Sequence, residues 1–203
     1  MIIEYVGKRR KHLTCVRVDD EEYMIDTAVA ENYGLKVGMI IDDGQFGQIL
    51  HDSEYERIKS KALWRLSIRD YAAKELAGKL YREFDREITD EVICVLLDSG
   101  LLNDERFAQN LSYELSEFRH LSRRNIRLEL LKRGVNRDIA DEICEELPDD
   151  EIPAIIEQIE LRYRDCFDDD KGRRRMFNGL ARKGYNFSDI KKAISEYDEM
   201  RGN

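Results

Sequence analysis

Two short runs of arginine carry the plainest chemistry in this sequence. Arg123-Arg124 and Arg173-Arg174-Arg175 stand where helical periodicity begins, with Arg127, Arg133, Arg182 and Lys183 further along the same segments. A guanidinium presents a planar fork of N–H donors that matches the paired oxygens of phosphate or carboxylate. Cations in the first turn oppose the helix dipole, at about 0.3–1 kcal/mol each when exposed, so helix stability does not account for them. Beside free backbone N–H groups they would form a receptor for DNA phosphate or for the carboxylates of a partner. The alternative is neutralisation by local acids such as Glu129 or Asp170. A second basic run, Lys8-Arg9-Arg10-Lys11, lies between two extended segments; at a hairpin tip it is a further candidate contact to a nucleic-acid backbone, or a charged turn without function.

Nothing else converges on chemistry. His12, His51 and His120 lie in different segments with no Ser or Cys at motif spacing, and Gly44-Gln45-Phe46-Gly47 lacks the pattern of a phosphate loop. Asp168-Asp169-Asp170 ahead of Lys171-Gly172 lacks the alternating ligands and terminal Glu of a calcium loop, and reads as a solvated acidic loop capping the next helix. No catalytic residue, metal ligand or cofactor is assigned, and a non-enzymatic binding protein is expected.

Charged residues make up 38% of the 203 and the hydrophobic set 42%, with 2 prolines, which suits a helix-rich chain with thin cores and disfavours a bulky single-core enzyme. A net charge of −9 excludes a generic nucleic-acid coat. Contact with DNA then needs a local basic stripe, and the primary partner is expected to be a protein. Cys15, Cys94, Cys144 and Cys166 are far apart, without a C-x-x-C pair, and read as reduced thiols. Met1–Val6 is too short and too soon followed by charge for a signal peptide, and no run is apolar for long enough to span a bilayer. A cytoplasmic protein without membrane contact is the expectation.

Residues 1–53 alternate as strands do: Ile2, Tyr5 and Val6, then Leu13, Cys15, Val16 and Val18, then a turn at Asp19-Asp20-Glu21-Glu22 before Tyr23-Met24-Ile25. Thr27 is read as capping a short helix ended by Gly34, with another extended piece over 35–41. From Glu54 the period becomes helical, with helices expected near 54–66, 69–82, 89–99, 104–119, 122–133, 137–147, 151–166, 171–183 and 188–200. Gly100, Gly134 and Gly184 sit at C-cap positions, and Thr89 and Ser188 are read as N-caps. Phe107, Leu111, Leu115 and Phe118 are placed on one buried face, and Tyr55, Tyr113, Tyr163 and Tyr197 at core-compatible spacings. Trp64 is read as a core or lobe-interface anchor rather than a base-stacking platform.

Aligning Glu75-Leu76, Glu129-Leu130 and Gly179-Leu180 brings three segments into register. Arg69, Arg123 and Arg173 then coincide, as do Ala72, Ile126 and Met176, and Lys79, Arg133 and Lys183. The chain is therefore read as mainly α: a β-rich N-terminal lobe over 1–53 followed by three tandem three-helix repeats over 54–102, 103–148 and 149–203, stacked as an elongated curved rod. Monomer is the default.

Leu101-Leu102-Asn103-Asp104-Glu105-Arg106-Phe107-Ala108 resembles the most recognisable motif of the RecX family. Ala62-Leu63, Leu66-Ser67, Arg69, Glu75-Leu76 and Lys79-Leu80 look like that family's first repeat, and Arg123-Arg124-x-Ile126, Glu129-Leu130 and Arg133-Gly134 like its second. The likeness covers about residues 54–147, with a looser third repeat. Ala72 replaces a usual small polar residue, and Gly179 stands where the other repeats have Glu. The resemblance implies a regulator that binds the RecA recombinase filament, meets single-stranded DNA within it and free DNA more weakly, and usually inhibits strand exchange and ATP turnover. Rival readings are a stand-alone DNA-binding protein using its basic helix starts, and a helical-repeat scaffold for an unrelated protein.

Overall fold

The computed structural model describes residues 1–10, 12–167 and 169–202. Strands β1 (Ile3–Arg10), β2 (Leu13–Val18) and β3 (Glu21–Asp26) pair as an antiparallel meander in that order. Val18 pairs with Glu21, so the turn is only Asp19-Asp20, with φ of 48° and 68°. Two left-handed residues suit the twist of a tight hairpin, and Asp tolerates that region better than most. Glu21 and Glu22, expected in the turn, belong to β3. Residues 35–41 form no strand, apart from one bridge between Ile2 and Ile40.

Helix α1 (Thr27–Asn32) is capped by the Asp26 carboxylate, not by Thr27, and Gly34 follows it at φ 62°. Helix α2 (Asp43–Ile68) starts well before Glu54, because Asp42 and Gln45 form a reciprocal capping box that overrides the glycines of its first turn. It lends Phe46 and Ile49 to the lobe core of Ile3, Val16, Val18 and Ile25, and Ile58 and Ala62 to the next core. The boundary expected between 53 and 54 therefore falls inside one continuous helix.

The chain divides into two compact units, Met1–Leu102 and Asn103–Asn203. Helices α3 (Ala73–Leu80) and α4 (Arg86–Asp98) complete the first. Asp85 caps α4; Thr89 is fully buried inside it, its hydroxyl donating to the Asp85 carbonyl at 2.6 Å. The second unit holds α5 (Asp104–Tyr113), a π-helical turn (Glu114–Phe118), α6 (Arg123–Lys132) and α7 (Arg137–Glu145). It continues with α8 (Ile152–Arg162), a 3-10 turn (Arg164–Phe167), α9 (Asp170–Arg182) and α10 (Phe187–Gly202), which begins one residue ahead of the expected cap Ser188. Gly100, Gly134 and Gly184 have φ of 69°, 89° and 96°, the left-handed endings foreseen for them.

Within the second unit one burial pattern recurs after fifty residues. Ile126, Leu130, Val135, Ala140 and Ile143 are buried, and so are Met176, Leu180, Tyr185, Ile190 and Ala193. The shared spacing places both sets on the inner faces of a helix, a tight turn and a second helix.

Three aromatic expectations fail. The π-helical turn inserts an extra residue per turn and rotates the phase, so Phe107 and Leu115 are buried while Phe118 is 66% exposed. Phe118 instead meets Tyr113, itself 63% exposed rather than core, edge to face at 6.1 Å. Trp64 is 56% exposed on α2 beside Leu63 and Ile68, with the Lys61 ammonium 5.7 Å from its ring. Since it is the sole tryptophan, native protein should show indole fluorescence readily quenched by iodide. A blue-shifted emission indifferent to iodide would contradict this placement.

Candidate anion-binding surface

The end of α9 and the turn after it dock on the start of α6. The Ser122 N–H donates to the Lys183 carbonyl at 3.0 Å, and the Asn125 side-chain amide to the Arg182 carbonyl at 3.1 Å. The Tyr185 hydroxyl donates to the carbonyl of His120, a left-handed residue at φ 47°, at 3.0 Å. The Lys183 ammonium donates to the Arg119 carbonyl. Burial, and to a lesser degree Arg162, holds the Lys183 amine below its usual range. Lys183 is therefore a structural clasp, not a free cation.

The sequence-predicted cations divide into a paired and an unpaired set. Arg123, partly buried, pairs with Asp149, and its backbone N–H donates to the Glu151 carboxylate at 2.6 Å. Arg127 bonds Asp141 through Nε and Nη2 at 2.5 and 3.2 Å, which raises the guanidinium pKa and lowers that of the carboxyl. Arg173 reaches Asp198 at 2.8 Å and lies over Phe167, 5.1 Å from its centroid. Arg133 caps the end of α6, its backbone N–H bonded to the Glu129 and Leu130 carbonyls. Arg124, Arg174, Arg175 and Arg182 are exposed, and among the described residues their side chains meet no partner.

The neutralising acids are Asp149, Asp141 and Asp198, not the Glu129 and Asp170 read from local sequence. The helix starts also differ from expectation, because part of their first-turn N–H set is occupied. Ser122 accepts from the Asn125 N–H and Glu151 from Arg123 at α6, and the Asp169 carboxylate accepts from the Gly172 N–H at α9. The Glu151 and Asp169 carboxylates offset the cations of these first turns and take up part of their N–H groups, so the guanidinium side chains are the main donors left for an anion.

Helix rise separates Arg174 from Lys183 by about 14 Å along α9. Arg124 and Arg182 thus share the α6–α9 junction, while Arg174 and Arg175 stand near the other end of α9. The basic run in the first unit lies at the end of β1 and leads into the β1–β2 hairpin connection, with Arg10 paired to Leu13. Lys8 and Arg9 are on β1, paired with Glu31 at 2.8 Å and Glu22 at 3.0 Å; Arg10 ends the strand, and Lys11 lies outside the described residues.

Glu151 supplies a test of the junction. Burial, partly opposed by the hydrogen bond from Arg123, raises its carboxyl pKa. A raised native pKa means the group's contribution is fully present below the ordinary carboxylate range and is lost as pH climbs through the raised value. Glu151→Gln keeps an acceptor for the Arg123 N–H without a buried charge. Urea unfolding should show this variant gaining on wild type between pH 4 and pH 7; a gain on acidification would contradict the assignment.

Among the described residues no helix is long and apolar enough to cross a membrane, and no cluster of His, Cys, Asp and Glu is arranged to hold a metal. What fold and surface define is a class: a mainly helical protein with a small N-terminal antiparallel sheet, displaying guanidinium groups from its second unit. A family model described as "RecX, second three-helix domain" matches residues 103–143. The chain is 29% identical over 193 residues to "Regulatory protein RecX" of Clostridioides difficile, covering 93% of this chain and 91% of that one. It is 28% identical over 200 residues to the protein of the same name from Caldanaerobacter subterraneus, covering 96% and 99%. A solved structure titled "Crystal structure of regulatory protein RecX" superposes with a TM-score of 0.66 at 18% identity, over 94% of this chain and 98% of that one. In sequence and in fold the chain is similar to proteins of the RecX family, and the named relatives are regulatory proteins.

Proposed function

We propose that this protein is a non-enzymatic, cytoplasmic regulator that binds the RecA–single-stranded DNA filament and slows its ATP turnover and strand exchange. The observation that carries the reading is the set of guanidiniums without a partner among the described residues, Arg124, Arg174, Arg175 and Arg182, on a chain similar to named regulatory proteins. Arg174 to Arg182 spread over about 12 Å of α9, with Arg124 on α6 near the Arg182 end, so the set spans about three to four phosphates at the per-strand spacing of duplex DNA, or the carboxylates of an acidic protein surface. The net charge of −9 works against coating of free DNA, which favours DNA already held by a protein. The helices after the sheet form three triplets, and the fifty-residue recurrence of burial supports this division for the second and third. A monomer suffices for such an arrangement.

The test is a titration of this protein into RecA hydrolysing ATP on single-stranded DNA. Turnover should fall as protein is added, with filaments shortened or stalled in electron micrographs. Unchanged turnover and unchanged filament length would overturn the reading.

A further inference from the structure

The arginine surface leaves a second feature of unit 2 unused, a groove of about 730 Å³ along α8 and α10. Its apolar surface comes from Ile156, the buried Tyr197, and Leu161 and Met200, each 62% exposed. Among the described residues four carboxylates line it, Asp150, Glu157, Glu160 and Glu196, and no Lys, Arg or His does. Asp150 accepts the Ile152 N–H at 3.0 Å, while Glu160 accepts the Tyr197 hydroxyl and stands 3.6 Å from Arg164. Glu157 and Glu196 have no partner among the described residues. An apolar strip flanked by unneutralised acid is costly to leave bare and is complementary to one chemistry.

We infer that this groove docks a basic amphipathic helix of a protein partner. Residues 152–153, 156–157 and 160–161 recur along α8 with helical spacing, so apolar and acidic positions advance together over about 14 Å, or about two and a half turns of a partner helix. A helix with leucine-like residues on one face and Lys or Arg beside them fills such a strip while its cations meet Glu157 and Glu196. A second copy of this chain is a poor occupant. The protein carries a net charge of −9, and a two-fold contact would set the same acidic rim against itself. The surface is independent of the arginines and of the RecA assay.

The experiment follows the fluorescence anisotropy of a labelled Leu/Lys peptide of about 18 residues, five turns, with leucine at helical spacing. A shuffled peptide of the same composition and a Leu/Glu counterpart are run beside it. The basic amphipathic peptide should bind, with amide shift changes confined to α8 and α10. Glu157→Lys with Glu196→Lys, and separately Leu161→Ser with Met200→Ser, should each weaken binding about tenfold or more. All four side chains are exposed, so circular dichroism should show both variants folded. If a variant unfolds, the amide map on wild type decides, and shifts elsewhere refute the groove. Equal binding of the shuffled or acidic peptide, no binding at all, or unweakened binding by folded variants would overturn the inference. So would concentration-dependent dimers abolished by Leu161→Ser with Met200→Ser, which would give the groove to a second copy.

Discussion

Replacing Arg124, Arg174, Arg175 and Arg182 together with alanine is expected to weaken binding to a RecA–single-stranded DNA filament by about one to two orders of magnitude. The protein should stay folded, because none of these side chains has an internal partner among the described residues to lose. If the four meet phosphate, each adds ~0.7 to the dependence of log affinity on log salt for a single strand, so the slope should flatten by about three. If they meet carboxylates of the filament protein instead, affinity falls with less change in slope. Arg123→Ala, Arg127→Ala and Arg173→Ala supply the contrast, since each breaks a local ion pair with Asp149, Asp141 or Asp198. Their effect should appear in unfolding curves, with filament binding nearly unchanged. Full binding by the fourfold variant would remove these residues from the interface.

The second large effect is on stability. A methyl group at Gly184 would lie 2.3 Å from the Ser122 hydroxyl oxygen and 2.5 Å from Asn125 Cγ, in backbone already at φ 96°. Both groups are held at the α6–α9 junction by their own hydrogen bonds, so neither retreats cheaply. Gly184→Ala is therefore expected to lower the unfolding free energy by about 2–4 kcal/mol, the sum of left-handed strain and a forced shift. Gly100→Ala isolates the first contribution: φ is 69° but the space around it is open, so about 1 kcal/mol is expected. Urea midpoints of the two variants measure the difference. Equal losses would mean that the close approach at Gly184 carries no energy.

Local signals were legible where local physics decides. Glycines ending three helices, the antiparallel meander and the recurrence from Ile126 to Met176 all follow from spacing along the chain. So does the start of α5, where the Asn103 side chain accepts the Arg106 N–H at 2.7 Å within the stretch that resembles the RecX motif. Tertiary choices were not legible. The acids that neutralise Arg123 and Arg173 arrive from Asp149 and Asp198, more than twenty residues away, whereas the sequence suggested nearer ones. Lys183 looked like a free cation because nothing in its neighbourhood announces the Arg119 carbonyl. The π-helical turn gave no periodic warning, so Phe118 was placed inside. Trp64 looked like an anchor by size and by its apolar neighbours, yet on α2 only Ile58 and Ala62 of that stretch are fully buried.

Arginine-selective labelling with phenylglyoxal, read by mass spectrometry with and without the RecA–DNA filament, addresses the interface most directly. Arg124, Arg174, Arg175 and Arg182 should react fully in the free protein and become protected on the filament, while Arg123, Arg127 and Arg173 react slowly in both. Undiminished labelling of the four on a saturated filament would contradict the account.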